Sequence, residues 1–433
     1  MRKVVITGLG PLSSTGVGKT LLWKGIRAQK TGLVRHKLML NKEIWDSYWY
    51  HKIRKFDISD FQINTRVFAD INSWKRGKMD RDLLYLIAAV KLALDDSKLK
   101  YDTDNNSIGL YITIEHPGFE PFITNLMTSA IDFRKRQSRS KSTSSTHDLF
   151  KYLYTNFVQY GYDLQTFMHL FFVAKIFGLH GYSLFTNNAC ASGLYSLEAA
   201  ARQIRQGQSD VVIIAGGDDP GTFFKHMWFK ERGLYAEDGK IRPFSQDAGG
   251  IVFGEGASSI ILEDLAHAKR RKARIYAEYI GGGFCLEGWK VTIPMIGSNS
   301  YTDAINQALR ISGIKPNGID LINPHGVGLK ITDHYEAKAI TEVFGTGPTA
   351  PRVSAFKPYV GHNLGGSGIL ETILLLLAMQ NKSIPPTLNA ENYDHKYGLN
   401  LVKHFTKHPL NTTMKLSCGF AGYNAAAIFK NYA

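Results

Sequence analysis

Cysteine is scarce in this chain. Cys190, Cys285 and Cys418 are spread over 433 residues, with no CxxC pair. That spacing speaks against a disulfide framework or a cysteine zinc site and suits a reducing interior. Long hydrophobic runs are also missing. The most apolar stretches, 83–94, 167–178 and 369–379, are short, and Lys91, Lys175 and Glu371 interrupt them, so no membrane span is expected. The chain starts Met1-Arg2-Lys3 and enters Val4-Val5-Ile6 at once, without the apolar core and cleavage site of a signal peptide. The expectation is a soluble cytoplasmic protein.

Acidic residues are in short supply, 37 against 52 lysines and arginines, for a net charge of +15. The imbalance predicts attraction to a polyanion: nucleic acid, an anionic membrane surface or an acidic protein. No nucleic-acid-binding module or aromatic-basic repeat accompanies it, so no nucleic acid partner is expected. Hydrophobic residues make up 44% and charged residues 21%, which excludes a largely disordered chain, and the length suggests two core-forming units or one large one.

Short apolar runs alternate with helical patterns. Val4–Thr7, Ile108–Thr113, Val211–Ala215, Ser258–Leu262, Leu321–Asn323, Val353–Ser354 and Ala425–Phe429 read as strands, several apolar on both faces. Helical periodicity marks Asp80–Asp96, Gly193–Gln206, Ser300–Ser312, Asp333–Phe344 and Ser367–Gln380. The expected class is α/β with helices on largely parallel sheets. Arg134–His147, basic and serine-rich without an apolar residue, reads as an exposed mobile loop. A second basic run, Lys269–Lys272, reads as a solvated face.

One apparent motif fails on inspection. Gly18-Lys19-Thr20 after the first strand has the end of a phosphate-binding loop, but the glycine needed five residues earlier is Ser13. Four other segments place reactive residue types on strand-end loops, where α/β proteins build their sites. In Asn187–Gly193, Cys190 precedes a helical pattern, where the helix dipole would favour a nucleophilic thiolate; a buried structural cysteine fits that segment equally well. His325 stands in Asn323–Gly328 and His362 in Lys357–Asn363, each a surface or satisfied histidine if taken alone. Neither has acidic or cysteine company at ligand spacing, so no metal is expected. Gly419–Asn424 is a glycine-rich turn before the last strand.

Taken in order, these segments resemble the β-ketoacyl-acyl carrier protein synthases, most closely the synthase II type of the thiolase-like fold. The resemblance covers almost the whole chain. It includes Val4–Gly10, Met79-Asp80-Arg81, Asp95-Asp96-Ser97, Ala189-Cys190-Ala191-Ser192-Gly193, Arg242-Pro243-Phe244, Gly254–Ala257, His325-Gly326, Lys357 with Gly361-His362, and Gly419-Phe420. It implies an α/β thiolase-like body of two similar halves stacked in five layers, αβαβα. The halves divide near Leu265: residues 1–264 carry the nucleophile and dimer interface, and 265–433 the histidines, lysine and gate.

The resemblance further implies that Cys190 accepts the acyl group and that His325 and His362 assist decarboxylation. Lys357 orients the site through Glu371, and Phe420 is a gate whose N–H joins that of Cys190 in an oxyanion hole. No metal or organic cofactor is implied; the partners are an acyl carrier protein with its phosphopantetheine arm and a second copy of the chain in a homodimer.

Three departures stand out. Val327 and Leu329 occupy positions where the family has threonines that bind the pantetheine arm. Ala421-Gly422-Tyr423-Asn424 replaces Gly-Gly-Thr-Asn, and the segment from about Glu115 to Thr166 is longer. These suggest a specialised pathway. The alternative is a non-condensing partner of the chain-length-factor kind in a heterodimer, which retention of Cys190 opposes.

Overall fold

Strand β1 (Val4–Ser13) is buried along its whole length, as a strand covered on both faces must be. In this computed structural model, residues 2–432 are described apart from 41–42, 76–78, 102–106, 140–144, 162–163 and 219–222. After β1 come the hairpin β2 (Leu33–Leu40) and β3 (Glu43–His51), then α1 (Arg81–Ser97), β4 (Gly109–Thr113), α2 (Phe119–Arg139) and α3 (Thr146–Gly161). The series continues with β5 (Ser183–Phe185), α4 (Ser192–Arg205), β6 (Val211–Asp218), α5 (Phe223–Glu231) and β7 (Gly256–Asp264). The C-terminal series is β8 (Ala277–Leu286), α6 (Ser300–Ser312), β9 (Leu321–Asn323), α7 (Lys330–Phe344), β10 (Arg352–Val353) and α8 (Ser367–Asn381). It ends with β11 (Asn400–Leu401), β12 (Thr412–Gly419) and β13 (Tyr423–Asn431).

The two series follow one pairing scheme. β4 lies parallel to β5 and β6, while β7 runs antiparallel between β6 and β1. Likewise β9 lies parallel to β10 and β12, while β13 runs antiparallel between β12 and β8. Val4–Ile6 pair with Ala277–Tyr279, which joins β1 to β8 and makes one continuous path through both sheets. The sheets are therefore mixed, which corrects the largely parallel expectation. The turn from β12 to β13 is only Phe420–Gly422, too short for the crossover that a parallel return requires.

Helix α1 covers the outer face of the first sheet against β1, β6 and β7, and α6 covers the second against β8 and β13, with α7 beside it. Between the sheets lie α4, which reaches β4, β6, β8 and β13, and α8, which reaches β6, β7 and β12. Five layers result. A helix between two sheets has no solvent face, so every residue of α8 from Ser367 to Met379 is buried. The stretch Leu364–Asn381 is long and apolar enough by composition to cross a membrane, and 89% of it is buried inside the protein.

The basic stretch expected as a loop is helical through Arg139 in α2 and again from Thr146 in α3; residues 140–144 lie outside the described ones. Its polar residues form the outer side of an amphipathic pair. Phe133 meets Tyr152 with rings 5.7 Å apart, and the Arg136 guanidinium lies 5.5 Å over the same Tyr152 ring. Strands β8 and β12 and the hairpin β2–β3 were not anticipated. Three consecutive glycines, Gly281–Gly283, blur the strand pattern of β8, and Lys415 interrupts that of β12.

Candidate active site

The turn into α4 carries Cys190. Ala189 adopts a left-handed φ of 48°, a costly conformation for any residue but glycine, and the bend brings the sulfur to the helix N-terminus. Ser192 fixes the bend: its Oγ accepts the Asn188 N–H at 2.7 Å and its O–H donates to the Ala189 carbonyl at 2.5 Å. From the other half, the Ser417 O–H of β12 donates to the Cys190 carbonyl at 3.0 Å.

His362 Nε2 lies 3.2 Å from Cys190 Sγ, and its Nδ1 faces Ser367 Oγ at 2.8 Å. Ser367 Oγ also accepts the Asn363 N–H at 2.9 Å, and its own O–H is free to donate to Nδ1. The ring hydrogen of His362 is thereby assigned to Nε2. His325 reaches the same tautomer through Lys357. The Lys357 ammonium faces His325 O at 2.7 Å, Glu371 Oε1 at 2.7 Å and His325 Nδ1 at 3.3 Å. A lysine ammonium cannot accept, so Nδ1 of His325 does, and Nε2 carries the hydrogen.

The two imidazoles stand nearly perpendicular, at 83°, with centroids 5.4 Å apart. Burial, then the charge of Lys357, holds both well below the usual histidine range. They are neutral at pH 7 and present two N–H donors beside one sulfur.

Beneath them lies a charged layer that sequence reading only partly reached. Glu371, on buried α8, accepts from Lys357 and also from Lys415 at 2.8 Å. Lys415 donates further to the carbonyls of Pro324 at 3.0 Å and Leu416 at 2.7 Å, and burial lowers its ammonium to about 8. Glu336 of α7 takes the N–H groups of His325 at 2.6 Å and Gly326 at 2.8 Å, which fixes the loop that carries His325. A lysine within the apolar run of Thr412–Gly419 was the available signal for Lys415. Glu336 gave none, because an acidic residue on an amphipathic helix is ordinarily solvated.

Gly419 closes the site opposite Cys190. A Cβ there would come 3.0 Å from Asn188 O and 3.3 Å from Cys190 N, so any side chain would press the two turns apart by a few tenths of an ångström. Phe420 follows, stacked on Phe229 at 5.6 Å and 19°, with Trp228 at 6.0 Å. Among the described residues, no other group takes up the N–H of Cys190 or of Phe420.

One expectation is reversed. The helix N-terminus was expected to favour a thiolate, but burial and the adjacent Glu115 push the Cys190 thiol well above its usual range, against the pull of Lys357. Desolvation of the sulfur is the largest of these influences. Glu115 itself was not singled out from the sequence.

Two cavities meet at Phe229 and Phe420. A narrow one of about 40 Å³ runs past Cys190, His325, His362, Val327 and Leu329. The other, of about 310 Å³, lies behind Phe420 and is lined by Glu115, Phe119, Phe224, Lys225 and Trp228. Val327 is buried in an apolar cluster with Tyr48 and Tyr50 of β3, and Leu329 packs against it. The hairpin thus accounts for two apolar side chains at positions where the resemblance would place hydroxyls.

Lys19 of the apparent phosphate loop is paired with Asp96 and Tyr276. Arg271, in the second basic run, holds Glu263 with bonds of 2.7 and 2.6 Å. Among the described residues, no three His, Cys, Asp or Glu side chains are grouped to hold a metal ion.

The chain also matches known proteins in sequence and in fold. Residues 1–268 match the profile described as "Beta-ketoacyl synthase, N-terminal domain" and residues 276–391 that of the "C-terminal domain". The chain is 29% identical to 3-oxoacyl-[acyl-carrier-protein] synthase 2 of Coxiella burnetii, over 99% of this chain and 98% of that protein. It is 28% identical to the protein of the same name from Staphylococcus aureus, over 100% and 99%. Among solved structures, the ishigamide ketosynthase/chain length factor superposes with a TM-score of 0.83 at 27% identity, covering 100% of both chains. A β-ketoacyl synthase from Burkholderia phymatum superposes with a TM-score of 0.82 at 24% identity, again over 100% of both, a likeness of fold.

Proposed function

The chain belongs to the β-ketoacyl synthase family, and on that footing we propose that it condenses an acyl group held on Cys190 with malonyl-acyl carrier protein. The observation that carries this reading is that two neutral imidazoles, His325 and His362, line one cavity with the Cys190 thiol, His362 Nε2 lying 3.2 Å from the sulfur.

In the first step the Cys190 sulfur attacks the acyl thioester carbonyl, and the N–H groups of Cys190 and Phe420 receive the tetrahedral oxyanion. The carbon–sulfur bond to the carrier breaks, and the Cys190 proton leaves with the carrier thiol. In the second step the malonyl thioester oxygen accepts the two Nε2–H bonds. The carbon–carbon bond to the carboxylate breaks, CO₂ departs, and its electron pair enters the enolate that those donors stabilise. The enolate carbon attacks acyl-Cys190, the new carbon–carbon bond forms, and the released Cys190 thiolate takes a proton from water. Lys357 and Glu371 act through His325 by fixing its tautomer and position.

Mass spectrometry of the protein incubated with an acyl-carrier protein tests the reading. Cys190→Ala is expected to abolish the covalent adduct and the condensation product; full condensation by that variant overturns it. His325→Ala is expected to retain the adduct and lose about 10²–10³-fold in malonyl decarboxylation, the usual loss for one oxyanion donor.

A specialised acyl substrate fits Val327 and Leu329. The same two residues favour a second reading, a non-condensing partner in a heterodimer. Co-purification with another synthase subunit, together with inactivity alone, would select that reading. We place the division between halves at Leu265, and we expect a homodimer. Met127, Ile131, Phe150 and Tyr154, exposed on α2 and α3 of the N-terminal half, support that expectation.

A further inference from the structure

We propose that the cavity behind Phe420 selects acyl groups bearing a neutral oxygen substituent, a hydroxyl or carbonyl, within the first few carbons of the thioester, and that Glu115 recognises it. The inference rests on Cys190 being the acyl acceptor. Most of the cavity wall is apolar, with Phe119 and Phe224 edge to face at 5.3 Å and Trp228 and Val291 beside them. Its polar lining is Glu115, His116, Asn187 and Lys225, and of these Glu115 interacts with the Cys190 thiol. A pocket for a plain alkyl chain gains nothing from a carboxyl there, and leaving one of its oxygens buried and unpaired is costly.

The carboxyl is poised for a ligand. Glu115 Oε1 is buried and, among the described residues, has no hydrogen-bond partner. The nearby Lys225 ammonium is engaged by Asp218 at 3.0 Å, and the Glu115 N–H leans towards the other Asp218 oxygen at 3.5 Å. Burial, then the Asp218 charge, raises the Glu115 carboxyl to about 8. At neutral pH it is a carboxylic acid, able both to donate to and to accept from a substrate oxygen. The carboxyl also interacts with the Cys190 thiol, so it stands beside the sulfur that holds the acyl group. That position restricts its reach to the first carbons of the chain.

The test uses the whole protein with two small thioesters of equal chain length, butanoyl- and 3-hydroxybutanoyl-N-acetylcysteamine, and follows the Cys190 adduct by intact mass. The wild type is expected to load the hydroxyacyl group about tenfold faster, the scale of one buried hydrogen bond used for discrimination. In Glu115→Ala the ratio is expected to fall close to one, and in Glu115→Gln, which keeps a donor and an acceptor, to survive. Reading a ratio within each protein removes any general loss of activity. A wild-type ratio near one, or a preference that persists in Glu115→Ala, overturns the inference while leaving acyl loading intact. If neither thioester forms an adduct at Cys190, the condensing reading itself fails and this inference falls with it.

Discussion

Lys357 faces three acceptors at once: a carboxylate, a carbonyl and a ring nitrogen. Replacing it with methionine keeps the bulk, removes the donor to His325 Nδ1, and leaves Glu371 to Lys415 alone. Malonyl decarboxylation is expected to fall by about 10²–10³-fold, with the Cys190 adduct still forming, because one oriented donor is lost and the nucleophile is untouched. Product analysis and intact mass together separate the two effects.

The buried histidines also fix a pH dependence. His325 and His362 sit well below the usual histidine value of about 6.5, chiefly through burial, so decarboxylation is expected to stay level as pH falls through that range. An acid limb centred near pH 6.5 would contradict their burial as neutral rings. Stability moves differently. A histidine with a lowered folded-state value binds its proton better when unfolded, so its contribution is complete above pH 6.5 and is lost as pH falls below it. His51, lowered to about 4, and His169, lowered to about 3, extend that loss further into acid. Thermal melts across pH 7 to 4 are expected to show a falling midpoint.

At the scale of elements, β8 and α6 lie unusually close. A Cβ on Gly283 would stand 1.9 Å from the Ala304 carbonyl oxygen, so Gly283→Ala must push the helix off the sheet. Urea unfolding is expected to show a loss of about 1–3 kcal/mol, the usual scale of overpacking. Gly297→Ala, which meets nothing within 4 Å, is expected to stay within about 0.5 kcal/mol of the wild type. The same closeness explains why this strand escaped the sequence pattern: the glycines serve the neighbouring helix rather than β propensity. The opposite error occurred at α2, where a polar sequence looked like a loop because only one side of the helix meets a partner.

For the molecule as a whole, the net charge of +15 acquires a candidate role in drawing an acidic carrier protein to the site. Arg136, beside Tyr152, is one of the exposed cations, whereas Arg271 is taken up by Glu263. Raising ionic strength is expected to raise KM for a carrier-borne acyl thioester, and to leave KM for the same acyl group on N-acetylcysteamine nearly unchanged. Equal salt dependence for both substrates would remove steering from the account.

The sequence by itself determined the α/β class, most helices, and the order of cysteine, histidine, lysine and histidine that resembles a condensing enzyme. Those features are local: a 3.6-residue period, an apolar run, a reactive side chain beside glycine. Tertiary structure decided the rest. Cys190, His325 and His362 are far apart in the chain, and only the stacking of two sheets about α4 and α8 brings them together. Lys415 and Glu336 became part of the site because burial joined them to groups contributed by other elements. The protonation of Cys190 and Glu115 is set by desolvation and neighbouring charge, quantities that exist only once the chain has folded around them.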